Sequence, residues 1–284
     1  MLFDWMGEEN FKKGTSAYLK KFAYQACYTE QLWSSFEEQI SDESYPVLKV
    51  GQYWTDVQNF PVLSVELTNA TELVISQTCV LETENLWPLP VHLTINGKHE
   101  KFLLESKSKT VSIPENAVVN ANFGGYSFTR VRYSDELLNR LVKELPNMSK
   151  YDQLQIQSDV FFECTKGYRL FKDYLELIFN NYSEIKHTQI VVSQILDNFE
   201  KILPILRANG NAESMNAKIE EFLLKIFAKI GWNEQEGEEL DNELLRPVLL
   251  SWLVGLKNKD VLCHGTDLYK SGGYSSKIQR IVYD

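Results

Sequence analysis

The hydrophobic period of this chain changes twice, and that double change constrains the fold more than any single motif. Over the first 50 or so residues apolar side chains recur at helical spacing: Phe11, Tyr18 and Phe22, then Leu32, Trp33, Phe36 and Ile40. From Pro61 the period falls to two. Leu63, Val65 and Leu67 alternate with Ser64, Glu66 and Thr68; Leu73, Ile75, Cys79 and Leu81 keep one face; Val91, Leu93 and Ile95 alternate up to Asn96-Gly97. From Ser134 the helical period returns. Helices and strands place side chains with different repeats, so one pattern cannot serve the other element. The expected fold is α+β and multidomain: a short helical segment, then a small antiparallel β-sandwich, then an α-helical solenoid-like domain. The corresponding boundaries are 1–50, 51–133 and 134–284.

Local signals refine this. Two short helices with a polar break fit residues 1–50, the second with Thr29 as N-cap and Glu30 at the positive end of the helix dipole. Asn96-Gly97 is a type I′ hairpin signal, because both central positions need positive φ. Strands at 102–104, 110–113, 117–121 and 126–133 complete about seven, with Gly124-Gly125 turning the chain into the last. Ser134 can cap a helix carrying Leu137, Leu138 and Leu141. Further helices are expected near 150–166, 168–180, 184–206, 212–230 and 240–257, with Gly210 and Gly231 as stops. The acid-rich stretch 234–243 reads as a solvated loop or helix start. Residues 261–284 lose the helical period and are expected to form a poorly packed tail.

Charge and composition exclude some functions. The 284 residues carry a net charge of −10, and no basic stripe offsets it, so nucleic acid and anionic membrane surfaces are disfavoured as partners. No apolar run approaches the roughly 18 residues that span a bilayer. Met1-Leu2-Phe3-Asp4-Trp5 leads into acidic residues and is no signal peptide, so the sequons at Asn69, Asn147 and Asn181 carry little weight. Cys27, Cys79, Cys164 and Cys263 form no CxxC and read as free thiols. A cytoplasmic location is expected.

Catalytic motifs are missing. There is no P-loop, GxGxxG or GxSxG. Of His92, His99, His187 and His264, only His99-Glu100 begins a zinc-peptidase HExxH. The second histidine would fall at Leu103, which cannot bind metal, and the segment reads as a strand. Cys263-His264 makes no catalytic pair. Gly124-Gly125 with Arg130 and Arg132 reads as a turn into a strand with alternate exposed arginines, ahead of a phosphate site.

Met1-Leu2-x-Asp4-x-x-Gly7-x-x-x-Phe11-Lys12-Lys13-Gly14-x-x-x-Tyr18-Leu19-x-Lys21-Phe22 and then Thr29-Glu30-x-Leu32-Trp33-Ser34 resemble a stretch of the gluzincin zinc aminopeptidases, nearest the cytosolic puromycin-sensitive type. Trp54-Thr55 with Phe60-Pro61-Val62, Trp87-x-Leu89-Pro90, Asn120 with Gly125-Tyr126 and Arg130-Val131-Arg132-Tyr133, and Ile230-Gly231-Trp232 with Leu244-Leu245-Arg246 resemble later pieces of the same family in the same order. Three places depart from it: Ala26-Cys27 stands where the family has N-A, Gln31 where it has aspartate, and Val57-Gln58-Asn59 displaces its Q-x-G. The resemblance covers roughly residues 1–257. It implies that the zinc ligands, substrate loop and catalytic tyrosine lie upstream of Met1, and that the helical domain stops partway at residue 284.

The resemblance therefore implies a non-catalytic C-terminal portion of a zinc aminopeptidase that removes N-terminal residues from peptides. This chain would wall the peptide chamber against an upstream catalytic domain, with zinc in the parent enzyme and no cofactor here. Arg130 and Arg246 could meet peptide carboxylates across the chamber, or form structural ion pairs. Trp33, Trp54, Trp87 and Tyr126 read as packing residues. The alternative is a stand-alone, catalytically dead scaffold module that self-associates through residues 1–50.

Overall fold

The computed structural model of the chain describes residues 1–40, 46–81, 83–183, 185–186 and 188–272. They fall into two compact units, Met1–Glu144 and the residues from Leu145 onward.

The first unit opens with four helices rather than two: α1 (Leu2–Met6), α2 (Glu8–Lys21), α3 (Thr29–Glu37) and α4 (Val47–Asp56). Gly7, at φ 80°, separates α1 from α2. The last helix is entered from Pro46 and carries the helical segment to Asp56. Thr29 is the first helical residue, not the N-cap. The cap is Tyr28, whose backbone N–H donates to Gln31 Oε1 at 2.9 Å. Two glycines let these helices approach closely. A Cβ on Gly14 would lie 2.2 Å from the Phe36 ring, and one on Gly51 would lie 2.5 Å from the Trp33 ring. Met6, Phe36 and Val47 form the buried centre, with Leu2, Phe11, Leu32, Trp33 and Ile40 around it.

Seven strands follow: β1 (Pro61–Asn69), β2 (Glu72–Cys79), β3 (Leu89–Ile95), β4 (Lys98–Leu104), β5 (Ser108–Ser112), β6 (Val119–Asn120) and β7 (Arg130–Tyr133). They form one sheet of order β5-β2-β1-β7 and one of order β4-β3-β6. The pairings are antiparallel except β1 with β7, which is parallel. The β3–β4 loop is Asn96-Gly97, with φ 50° and 80°, as its turn chemistry requires. The alternation seen in sequence becomes the core: Leu63, Val65, Leu73 and Ile75 from one sheet, Leu89, Val91, Leu93 and Leu104 from the other, all at most 1% exposed. Gln77 on β2 ties the sheets together, donating from Nε2 to the carbonyls of Trp87 (2.9 Å) and Leu104 (3.3 Å). The last strand is shorter than the 126–133 expected. Residues before it turn through Gly124 and Gly125, both at positive φ, and are fixed by Ser127 N–H donating to Asn122 Oδ1 at 3.0 Å and Thr129 Oγ1 donating to Pro61 O at 2.9 Å.

Helix α5 (Asp135–Val142) follows Ser134 and packs on β1, β6 and β7. Ser134 stands at the cap position, but its hydroxyl makes no capping bond.

The second unit contains α6 (Lys150–Thr165), α7 (Phe171–Leu177) continued by a π turn at Ile178–Tyr182, α8 (Gln189–Ala208), α9 (Ala212–Ile230), α10 (Leu240–Gly255) and α11 (Lys259–Ser271). The long α8 packs against α6, α9 and α10. Its stop and that of α9 are followed by Gly210 and Gly231 at φ 72° and 69°. The expectation of an irregular tail from residue 261 is wrong for the described part, because α11 runs to Ser271. Asn258 starts it, its Oδ1 accepting from Val261 N–H at 2.9 Å. Val261 is its buried residue, so the helix shows little apolar period. Residues 273–284 lie outside the described residues. Among the described residues no helix is long and apolar enough to cross a membrane.

Candidate functional site

The fragment of a zinc motif does not become a zinc site. His99-Glu100 lies on β4, where neighbouring side chains point to opposite faces, and Leu103 stands at the second ligand position. Among the described residues no three His, Cys, Asp or Glu side chains gather to hold a metal ion. Cys263 and His264 are neighbours on α11. His264 rests on the Trp232 ring, centroids 4.2 Å apart, while Cys263 is exposed. His187 lies outside the described residues. The donor set does not fit zinc, and no hydrolytic step can be built on it.

Arg246 is the more informative of the two arginines. It sits on α10 at 2% exposure. Its Nε donates to Gly231 O at 2.9 Å, and its Nη2 meets Glu238 Oε1 at 2.5 Å. Both side chains of this pair are at least 95% buried. The guanidinium thus fastens the end of α9, the acidic loop and α10 together. It holds the positive-φ Gly231 carbonyl that no helical N–H can reach. Glu238 is the residue that sequence reasoning missed. It lies in the acid-rich stretch, where Glu234, Glu236 and Glu239 are exposed and Asp241 and Glu243 half-buried, and the stretch gave no signal to separate the buried acid from its neighbours.

Arg130 lies on β7 of the first unit, half-buried beside Arg132; neither is free of partners. The structure therefore places the two candidate arginines in different units. Of the expected packing residues, Trp87 is fully buried. Trp54 is partly buried, and its Nε1 donates to Pro88 O at 3.1 Å. Trp33 lies against Gly51. Tyr126 differs: it is 42% exposed, its ring lying over Gly124 and 5.2 Å from that of His92.

A buried polar triangle on α6, α7 and α8 was not anticipated. Tyr174 Oη donates to Gln157 Oε1 at 3.0 Å, and Asn198 Nδ2 reaches Gln157 Oε1 at 3.1 Å and Tyr174 Oη at 3.0 Å. Tyr182 Oη donates to Gln153 O at 2.7 Å. Burial holds both tyrosines well above the usual phenol range, so they act as neutral donors. Cys164 is pushed up to about 11 by burial, with Glu163 adding to it. A thiol so held is a poor nucleophile. The triangle fixes helix register and offers no reactive group.

Residues 118–280 match the ERAP1-like C-terminal domain, and residues 1–60 match the peptidase family M1 domain. Aminopeptidase M1-A of Oryza sativa subsp. japonica is 30% identical over 276 residues, covering 90% of this chain and 30% of that protein. Aminopeptidase M1 of Arabidopsis thaliana is 28% identical over 290 residues, covering 92% of this chain and 32% of that protein. The mitochondrial aminopeptidase 2 of Saccharomyces cerevisiae is 23% identical over 274 residues, 92% of this chain and 28% of that protein. The chain spans about a third of the length of the curated relatives it matches.

Proposed function

The chain belongs to the ERAP1-like C-terminal domain family, with a stretch of peptidase family M1 before it, and from this we propose that it is the non-catalytic C-terminal portion of a zinc aminopeptidase that removes N-terminal residues from peptides. The observation that carries the reading is co-linearity: relatives align along some nine tenths of this chain, yet along only a third of themselves. The chemistry of hydrolysis would then belong to an upstream catalytic domain, which would hold the zinc. Residues 1–50 would be the helical end of that domain, 51–133 the β-sandwich and 134–284 a partial, solenoid-like helical domain that walls a peptide chamber. A cytoplasmic location goes with the same reading.

Two tests separate its parts. The purified chain, supplied with zinc, is expected to release no amine from aminoacyl-anilides and to retain no stoichiometric metal after dialysis; turnover by the isolated chain would overturn the assignment as non-catalytic. In the parent enzyme Arg130 is proposed to meet the peptide carboxylate. Arg130→Ala should then raise KM for peptides with a free C-terminus, severalfold, and leave aminoacyl-anilides unaffected. Equal effects on both substrates would remove Arg130 from that role.

One observation favours the scaffold alternative. In the helical segment the large apolar side chains of Phe3, Leu19, Tyr24 and Tyr28 are exposed, and exposed apolar surface favours association. Concentration-dependent dimerisation of the isolated chain, abolished by Leu19→Lys, would support self-association through residues 1–50. A monomer at every concentration would count against it.

A further inference from the structure

We propose that Asp4, His92 and His99 form a proton-sensitive latch, which holds helix α1 on the β3–β4 hairpin near neutral pH and releases it in mild acid.

His92 is on β3 and fully buried. Its two ring nitrogens face different elements. Nε2 lies 3.0 Å from Asp4 Oδ2 on α1; the ion-pair distance is met, but the approach is off-axis and does not align as a hydrogen bond. Nδ1 lies 3.4 Å from Nε2 of His99 on the neighbouring strand. The imidazole rings are nearly parallel, centroids 5.5 Å apart, and are flanked by Tyr126 on His92 and Phe123 on His99. His99 is exposed, so the chain of groups runs from the helix through a buried ring to solvent. Lys101 completes the joint. Its Nζ lies 3.4 Å from Asp4 O and 3.3 Å from Trp5 O, and 5.5 Å from the centroid of the Trp5 ring. Beneath the joint Trp5 and Met6 are each 5% exposed.

Two facing imidazole nitrogens 3.4 Å apart can share one proton between them. A second proton leaves N–H opposed to N–H, and the contact becomes repulsive. Any charge on His92 would also sit without water, beside the cationic Lys101, the Met1 amino group and His99, with Asp4 opposing them. The balance goes against the charge: burial foremost, with His99, Lys101 and the amino group adding to it, outweighs the attraction of Asp4 and holds His92 down to about 4. A released histidine takes its proton near 6.5. The released state therefore binds a proton first as pH falls. The docking contribution is complete above about pH 6.5 and declines toward pH 4. Gly7, at positive φ, joins α1 to α2 as a ready hinge.

Hydrogen exchange of the full chain, corrected for intrinsic rates, tests this. Between pH 7.5 and 5 the amides of residues 2–6 and of the β3–β4 hairpin should lose protection on the order of tenfold, while those of α8 and α9 keep theirs. His92→Asn, neutral at every pH, should give a flat profile. His99→Gln removes one opposing charge and should give a smaller acid loss. The latch is overturned by a flat wild-type profile, by a loss shared equally across both units, or by an acid loss that persists in His92→Asn. Should that variant not fold, His99→Gln decides, and an acid loss equal to wild type overturns the proposal.

Discussion

Arg246 carries a buried charge that depends on its partner. Its charge is buried with that of Glu238, and removing one member of such a pair strands the other. Arg246→Met should destabilise the chain by about 3–5 kcal/mol, measured by denaturant unfolding. The double variant Arg246→Met with Glu238→Gln should recover much of that loss, because no uncompensated charge remains. Equal destabilisation in the single and double variants would show that the guanidinium acts mainly through the Gly231 carbonyl. The arginine was visible in sequence as part of Leu244-Leu245-Arg246, but its partner was not. Seven residues separate them in a stretch of several acids, and one sequence offers no local cue for which acid turns inward.

Among the elements, the helices before β1 depend on glycines that make room for a neighbouring ring, Phe36 at Gly14 and Trp33 at Gly51. Ala ordinarily beats Gly within a helix by about 1 kcal/mol. At Gly14 the added methyl would meet both the ring and the Cα of Phe36, at 2.2 and 3.0 Å. Phe36 is itself buried and cannot swing aside, so overpacking of about 1–3 kcal/mol should win. Gly14→Ala should lower the unfolding midpoint; an increase would show that α2 and α3 can slide apart. At α11 the balance lies in the cap. Asn258→Ala should cost about 1 kcal/mol of helix stability, seen as loss of amide protection over residues 259–271. Unchanged protection would locate its support elsewhere. These cases also mark what was legible. Strands with one buried face declared themselves by alternation, and β3 and β4 by their Asn-Gly turn. The stops at Gly210 and Gly231 were equally plain. Helix α11 was not, because a helix held by its cap and by Val261 has almost no apolar stripe to read. The split of α1 from α2 was hidden in the same way: Gly7 breaks the helix without breaking its pattern.

For the molecule as a whole, the switch of period from helical to alternating and back was enough to give the order of architectures. Each segment buries its own face, and the period follows from that burial. Function was legible only through resemblance, since the sequence carries no P-loop, GxGxxG, GxSxG or complete HExxH and among the described residues no metal-holding cluster gathers. Arg246, named as a peptide-carboxylate candidate or a structural ion pair, lies buried and paired with Glu238. His92 and His99 meet on neighbouring strands beside Asp4, a juxtaposition for which spacing gave no hint. The central claim is that this chain is one part of a longer aminopeptidase. The intact mass of the endogenous protein, detected with an antibody raised against residues 134–257, tests it most directly. The account predicts a species of about three times the 32.9 kDa of this sequence, carrying zinc and aminopeptidase activity. A single species of 32.9 kDa, with no longer form, would contradict it.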